Sequence, residues 1–207
     1  MAHFNSGITA VLLLTLTACG GGGDGPVVTP PPIDPPAPGD TGMWVTHSAL
    51  LETYTDPTIY TALPNIPTNG SATYDGTFSG QLANSTDSVT DTLIGAMTVD
   101  VDFRATTVDV VGSVSDFVDS DDNALTGQLT LSAGSLDRGG NPSSDATLMM
   151  LANGTLRDAQ GRDLIIGSQL EGDFLGAGHA AMGGAVLGSV QVNGIDQDFD
   201  GGFIAAR

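Results

Sequence analysis

The chain has 207 residues, of which 24 are Asp or Glu and 5 are Arg with no Lys, so its formal net charge is −19. A surface of that sign repels nucleic acid and bare anionic lipid, steers basic partners inward, and is also the composition that a salty habitat selects for solubility. With a single Cys the chain can form no internal disulfide, and a folded body must be stabilised by its core alone.

Residues 8–18 form an unbroken apolar and Thr run, shorter than the ~18 to 20 residues that span a bilayer and suited to the core of an export signal. Leu16-Thr17-Ala18-Cys19 at its end resembles the bacterial lipobox, in which small residues precede a Cys that receives diacylglycerol and becomes the first residue after cleavage. The resemblance implies a signal peptide over 1–18 and lipidation at Cys19. Two or three acyl chains on one Cys, at about 0.8 kcal/mol per buried methylene, would make a durable membrane anchor. Residues 1–7 carry His3 but neither Lys nor Arg, a departure from the usual positively charged start. Gly20, rather than Asp, stands after the Cys, which favours delivery to the outer membrane.

Residues 19–42 are a linker. Gly20-Gly21-Gly22-Gly23 gives way to Pro26, Pro30-Pro31-Pro32, Pro35-Pro36 and Pro38, a flexible coil and then extended polyproline with a reach of ~50 to 60 Å.

The remainder, 43–207, is long enough for one domain with one core. Its Gly, Val, Thr, Ser and Asp, with hardly any Glu and no Lys, predict an all-β body. Residues 43–68 are a lead-in in which 44–54 reads as a strand or a short helix, and Pro57, Pro64 and Pro67 interrupt the rest of it. From 69 to 207 the alternation is regular. Ala72, Tyr74, Gly76 and Phe78 share one face, with Thr73, Asp75, Thr77 and Ser79 on the other. Further alternating stretches are 93–103, 108–114, 125–132, 146–156, 163–171, 182–192 and 198–206, with Asn193-Gly194 as a hairpin dipeptide before the last. These predict an eight-stranded antiparallel up-and-down soluble β-barrel filled by its own side chains, its Asp face wet; a β-sandwich would use the same alternation. A transmembrane barrel would put the carboxylates in a narrow lumen, and 5% aromatic residues are too few for two interfacial girdles.

The last third carries a second resemblance. Gly172-Asp173-Phe174-Leu175-Gly176, then Met182-Gly183-Gly184, then the closing Gly201-Gly202-Phe203-Ile204-Ala205-Ala206-Arg207 resemble the C-terminal signature of the transferrin-binding-protein-B-like β-barrel lipoproteins. Residues 72–80 are similar to that family's opening strand. Leu175, Ala177, His179 and Ala181 stand where the family usually has Tyr, Pro, Ala and Glu. The resemblance implies a lipid-anchored receptor or accessory protein at the outer membrane, displayed on the cell surface. Such proteins bind a protein or an iron or haem carrier through loops at one barrel rim, beside a TonB-dependent receptor. Those loops have no fixed motif, so no ligand-binding residue carries over.

Chemistry is sparse. His47 and His179 are far apart, lack a companion Cys or Glu at ligand spacing, and are expected on the surface or in turns. Residues 196–201 match the first half of an EF-hand loop, but Arg207 stands where the bidentate Glu belongs, and strand alternation accounts for them better. Asp119-Ser120-Asp121-Asp122-Asn123 is a better candidate for a weak Ca²⁺ loop, with a solvated hairpin turn as the favoured reading. Tyr54, Tyr60 and Tyr74 are candidate haem ligands, Tyr74 being more simply a core residue. With no Ser/His/Asp set and no carboxylate pair, the expectation is a binding protein without catalytic residues, cofactor or metal; the alternative is a structural or envelope-coating lipoprotein with no specific ligand.

Overall fold

Eight strands that each have one apolar face to hide can all hide it at once by closing on each other, and in the computed structural model they do. The structure describes residues 42–54, 59–84, 88–104, 108–139 and 147–207. The segment 1–18, Cys19, the linker to residue 41 and Ala146 lie outside them. The elements in order are α1 (Gly42–Tyr54), a 3-10 turn (Leu63–Asn65), β1 (Ser71–Ala83), β2 (Val89–Phe103), β3 (Val108–Val118), β4 (Thr126–Leu136), β5 (Leu148–Arg157), β6 (Asp163–Leu175), β7 (Ala181–Val192) and β8 (Ile195–Ala206). Each strand pairs antiparallel with the next, and β8 returns to pair with β1 from Asp75↔Ala206 to Ala83↔Asp198. That seam closes the expected up-and-down barrel, removes every sheet edge and sets the sandwich alternative aside.

The interior of an eight-stranded barrel is only as wide as the side chains that fill it. Two groups of aromatic rings pack among the Leu, Val and Met side chains of that interior. One stacks Phe78 on Phe199 with ring centroids 5.9 Å apart and sets Phe117 edge-on to Phe78 at 6.1 Å. The other sets Phe174 against Tyr74 at 5.8 Å and Phe103 at 5.7 Å. Rings of this size fit because glycines face them: a Cβ on Gly80 would lie 2.2 Å from Phe199 Cζ, and one on Gly95 would lie 2.9 Å from the Phe117 ring.

Alternation breaks once in β3. Val114 and Phe117 both point inward, three residues apart, because Asp116 and Phe117 together oppose Gly95 in a β-bulge. Asp116 takes the left-handed φ of 55° that this needs, which Asp tolerates better than most residues. The expected strand over 108–114 therefore continues to Val118.

The lead-in resolves as a helix. Trp44, His47, Leu51 and Tyr54 recur at helical spacing and give α1 one face, and Pro57 stands where no helix could continue. That face lies on the outer wall over β1, β2 and β8. Trp44 packs with Ile94 and Val118, and Leu50, Leu51 and Tyr54 pack with Leu175, Ala181 and Ile204. Thr77 and Ser79, which alternation assigns to the wet face, are consequently buried at 2% and 1% exposure. The wet-face expectation holds for Thr73, Asp75, Asp100 and Asp200 and fails beneath the helix.

The two ends of the barrel differ. At the lower end, where β1 starts, Ile66 is buried in the core and Arg138 donates to the carbonyls of Ile66 at 3.3 Å and Pro67 at 2.5 Å. Residues 59–61 run beside the end of β6, with Thr61 N–H donating to the Phe174 carbonyl at 2.9 Å. This lead-in stoppers the lower mouth.

Replacing Gly80 with Ala forces the Phe199 ring off Phe78. Chemical denaturation is expected to show a loss of about 1 to 3 kcal/mol, the usual cost of overpacking a filled core. Ser168 points into the same core with a buried hydroxyl that has no partner, so Ser168→Ala is expected to leave the unfolding midpoint unchanged or raise it.

Candidate functional site

The upper mouth is the end of the barrel at which β1, β3, β5 and β7 finish and β2, β4, β6 and β8 begin. The last inward apolar side chains below it, Leu82, Leu125, Leu164 and Val192, floor a cavity of about 150 Å³. Its walls are Thr90, Asp91, Asp119, Asp158, Arg162 and Gln197. Three carboxylates and one guanidinium thus ring a floor of branched alkyl groups.

Asp119 and Asp158 are positioned by the turns they begin, and Thr90, Asp91 and Gln197 by the starts of β2 and β8. Asp119 Oδ1 accepts from the backbone N–H of Asp121 at 2.9 Å and of Asn123 at 2.8 Å, and its Oδ2 accepts from Asn123 Nδ2 at 3.0 Å. Both oxygens are occupied in shaping the turn, with Asp122 at φ 63°. Asp91 Oδ1 accepts from Ser120 Oγ at 2.9 Å and Ser120 N–H at 3.3 Å, tying the start of β2 to that turn. Asp158 Oδ1 accepts from the N–H groups of Gln160 at 2.9 Å and Arg162 at 2.8 Å, while Oδ2 pairs with the Arg162 guanidinium. Burial acts to raise the pKa of Asp158, but the backbone and side-chain hydrogen bonds from Arg162, its charge and the Gln160 N–H together hold it below the usual carboxylate value. Thr90 Oγ1 donates to Gln197 Oε1 at 3.1 Å, joining β2 to β8 across the remaining side. Asn193-Gly194 makes the expected tight hairpin, with φ of 53° and 79° as a type I′ turn requires.

Other residues singled out in the sequence lie elsewhere. His47 is in neither a turn nor a wet surface: it is buried beneath α1, and burial lowers its pKa from 6.5 to about 4. The reason is the helix itself, which carries His47 on its packed face. His179 does sit in a turn, after β6, at φ 54°, yet it too is buried, its ring against Phe103 at 5.3 Å and Phe174 at 6.4 Å. Tyr74 O–H donates to the His179 carbonyl at 3.1 Å, which makes Tyr74 a core residue. Tyr74 and His179 meet around Phe174 inside the barrel, whereas Tyr54 and Tyr60 pack around Leu175 on the outside and His47 lies under α1. Residues 196–201 lie in β8, with Phe199 and Gly201 buried and Asp198 and Asp200 outward. Residues 119–123 form the β3–β4 turn at the upper mouth. Among the described residues no three His, Cys, Asp or Glu side chains are grouped to hold a metal ion.

Asp91, Asp158, Arg162 and Gln197 carry no sequence motif that marks them. The one local signal is the 158–162 loop, where an Asp precedes Gly161 as turn chemistry prefers; its meeting with the starts of β2 and β8 is a property of closure. No family model matches the chain, and neither a curated protein nor a solved structure matches it.

Asp119→Ala removes the acceptor of two backbone N–H groups in the β3–β4 turn. A loss of about 1 kcal/mol is expected by urea denaturation, with the barrel's circular dichroism unchanged.

Proposed function

We propose that this chain is an outer-membrane lipoprotein of the transferrin-binding-protein-B-like kind, anchored through Cys19 and displayed at the cell surface. Its barrel binds a protein, iron and haem carriers included, through the upper rim, beside a TonB-dependent receptor. The observation that carries this reading is the upper mouth: apolar floor residues stay reachable there beneath an acidic collar, while the lower mouth is stoppered. A volume of about 150 Å³ falls short of the ~300 to 1,000 Å³ of small-molecule pockets. It suits one side chain of a partner protein better than free haem. The collar's three carboxylates against one Arg, on a chain of net charge −19, favour a Lys or Arg whose methylenes lie on Leu82 and Leu125. An apolar interior, with carboxylates such as Asp75, Asp100 and Asp200 on an outer wall that also exposes Met149, Leu151, Ile165 and Leu187, differs from the polar lumen of a transmembrane barrel and fits a body held off the membrane by a Gly/Pro linker.

The anchor and the ligand are tested separately. Intact-mass analysis of membrane-extracted protein is expected to find a diacylated Cys19 at the N-terminus, and Cys19→Ala to move the protein into the soluble fraction. An unmodified N-terminus would remove the lipoprotein reading. For the rim, envelope extracts and serum are passed over the immobilised protein, with bound proteins identified by mass spectrometry and scanned for haem absorbance. A partner is expected whose Kd weakens at least about tenfold when Asp91 and Gln197 are both replaced by Lys. Recovery of no partner would favour the structural, envelope-coating alternative.

A further inference from the structure

Beneath α1 lies a titratable group that the upper mouth does not use. His47 is 1% exposed, and both ring nitrogens face hydroxyls of β1. Nδ1 is 2.7 Å from Thr77 Oγ1, and Nε2 is 3.5 Å from Ser79 Oγ. Ser79 donates to the Gly202 carbonyl of β8 at 3.2 Å, so its oxygen is left to accept from Nε2–H while Thr77 donates to Nδ1. The network satisfies a neutral imidazole and provides no counter-charge for an imidazolium.

The charged groups nearby face away or are engaged elsewhere. On α1 the one carboxylate is Glu52, which is exposed. On β1, Asp75 accepts from Thr98 Oγ1 at 2.8 Å; on β8, Asp198 and Asp200 are exposed, and Arg207 just beyond it donates to the Gly178 carbonyl at 2.9 Å. On β3, Asp116 accepts from Ser115 Oγ at 3.0 Å. The parts of β2 and β7 facing the helix contribute Ile94, Ala181 and Ala185, all uncharged. Among the described residues no carboxylate hydrogen-bonds to His47.

We propose that α1 is an acid-released clasp: protonation of His47 within this hydroxyl-only contact undocks the helix from the barrel wall while the barrel stays closed. Closure survives because α1 contributes no strand to the sheet. A helix of 13 residues is marginal in water, so once undocked it has little to hold it. The proton linkage has a definite sign. A detached His47 takes up its proton near 6.5, whereas the docked one resists to about 4 because burial disfavours the charge. Docking is therefore complete above pH 6.5, weakens by about two orders of magnitude as pH falls through that window, and is constant below it. Release bares Ile94, Val118, Leu175 and Ile204 on the wall and adds the helical segment to the linker that precedes it.

Trp44, the single Trp of the chain, sits on the docked face with its ring 6.3 Å from that of His47, so its emission reports docking while the barrel is folded. The full chain is titrated from neutral to acid pH while Trp44 emission and the far-ultraviolet β signal are monitored together. The emission is expected to shift to the red between pH 6.5 and 4 with the β signal intact. In His47→Gln, whose amide can meet both hydroxyls, it is expected to hold until the β signal itself is lost. Simultaneous loss of the two signals in the wild type, or the same Trp44 transition in His47→Gln, would overturn the proposal. Should the variant not dock at neutral pH, the ring titration of His47 by NMR in the wild type decides: a pKa near 6.5 overturns the proposal and one well below 5 sustains it.

Discussion

Space inside the barrel is the constraint on which the rest of the structure depends. Closing eight strands fixes a narrow interior, and whatever points into it must fit without Cβ atoms colliding across the axis. Phe78, Phe117 and Phe199 occupy one level because Gly80 and Gly95 give up their side-chain volume to them. The β3 bulge serves the same end, turning Phe117 rather than Asp116 toward Gly95. Gly172 and Gly184 pair directly between β6 and β7, where a Cβ on either would lie within 2.3 Å of a backbone oxygen. Gly80, Gly95, Gly172 and Gly184 thus serve the packing of the closed barrel rather than turns.

A filled interior leaves only the two mouths and the outer wall for interaction, and the chain treats these three places differently. Ile66 and Arg138 fix the lead-in across the lower mouth. The upper mouth keeps its apolar floor under turns stiffened by Asp119 and Asp158. Because their carboxylates already hold backbone N–H groups, the collar is pre-shaped, and a partner would meet it with little further ordering. The wall carries exposed Asp75, Asp100 and Asp200 together with exposed Val111, Met149, Leu151, Ile165 and Leu187, and α1 covers a sector that holds Thr77, Ser79, Ile94, Leu175 and Ile204.

Most of the barrel was legible because alternation is a local pattern. Tyr74 and Phe78, Met97 and Val99, and Phe199 and Phe203 all point inward as their period-two spacing requires. The helix was harder to see. Its stripe of Trp44, His47, Leu51 and Tyr54 is diluted by Val45, which is 62% exposed, and by a His that reads equally well as surface. Thr77 and Ser79 could not be recognised as buried, since nothing local reveals that a distant segment will lie over them. The candidate site was least legible of all. Asp91 and Gln197 come from the starts of β2 and β8 and Asp119 and Asp158 from the turns after β3 and β5, and their meeting depends on which strand ends point the same way. The Cys19 and transferrin-binding-protein-B-like expectations rest on motifs, the first of them outside the described residues, and stay proposals.

The β1–β8 seam makes the two outermost strands of the sheet's sequence order neighbours, joining residues 75–83 to residues 198–206. A partly synthesised chain with β1 to β7 present would carry two open borders and an unsealed core, so native closure has to await the last strand. Few contacts of such high sequence separation can form early, and loop closure over this span makes the step slow. A polypeptide of this topology stays loose until its carboxyl-terminal segment arrives, a property well matched to any route that threads the chain unfolded through a narrow channel before it is allowed to fold.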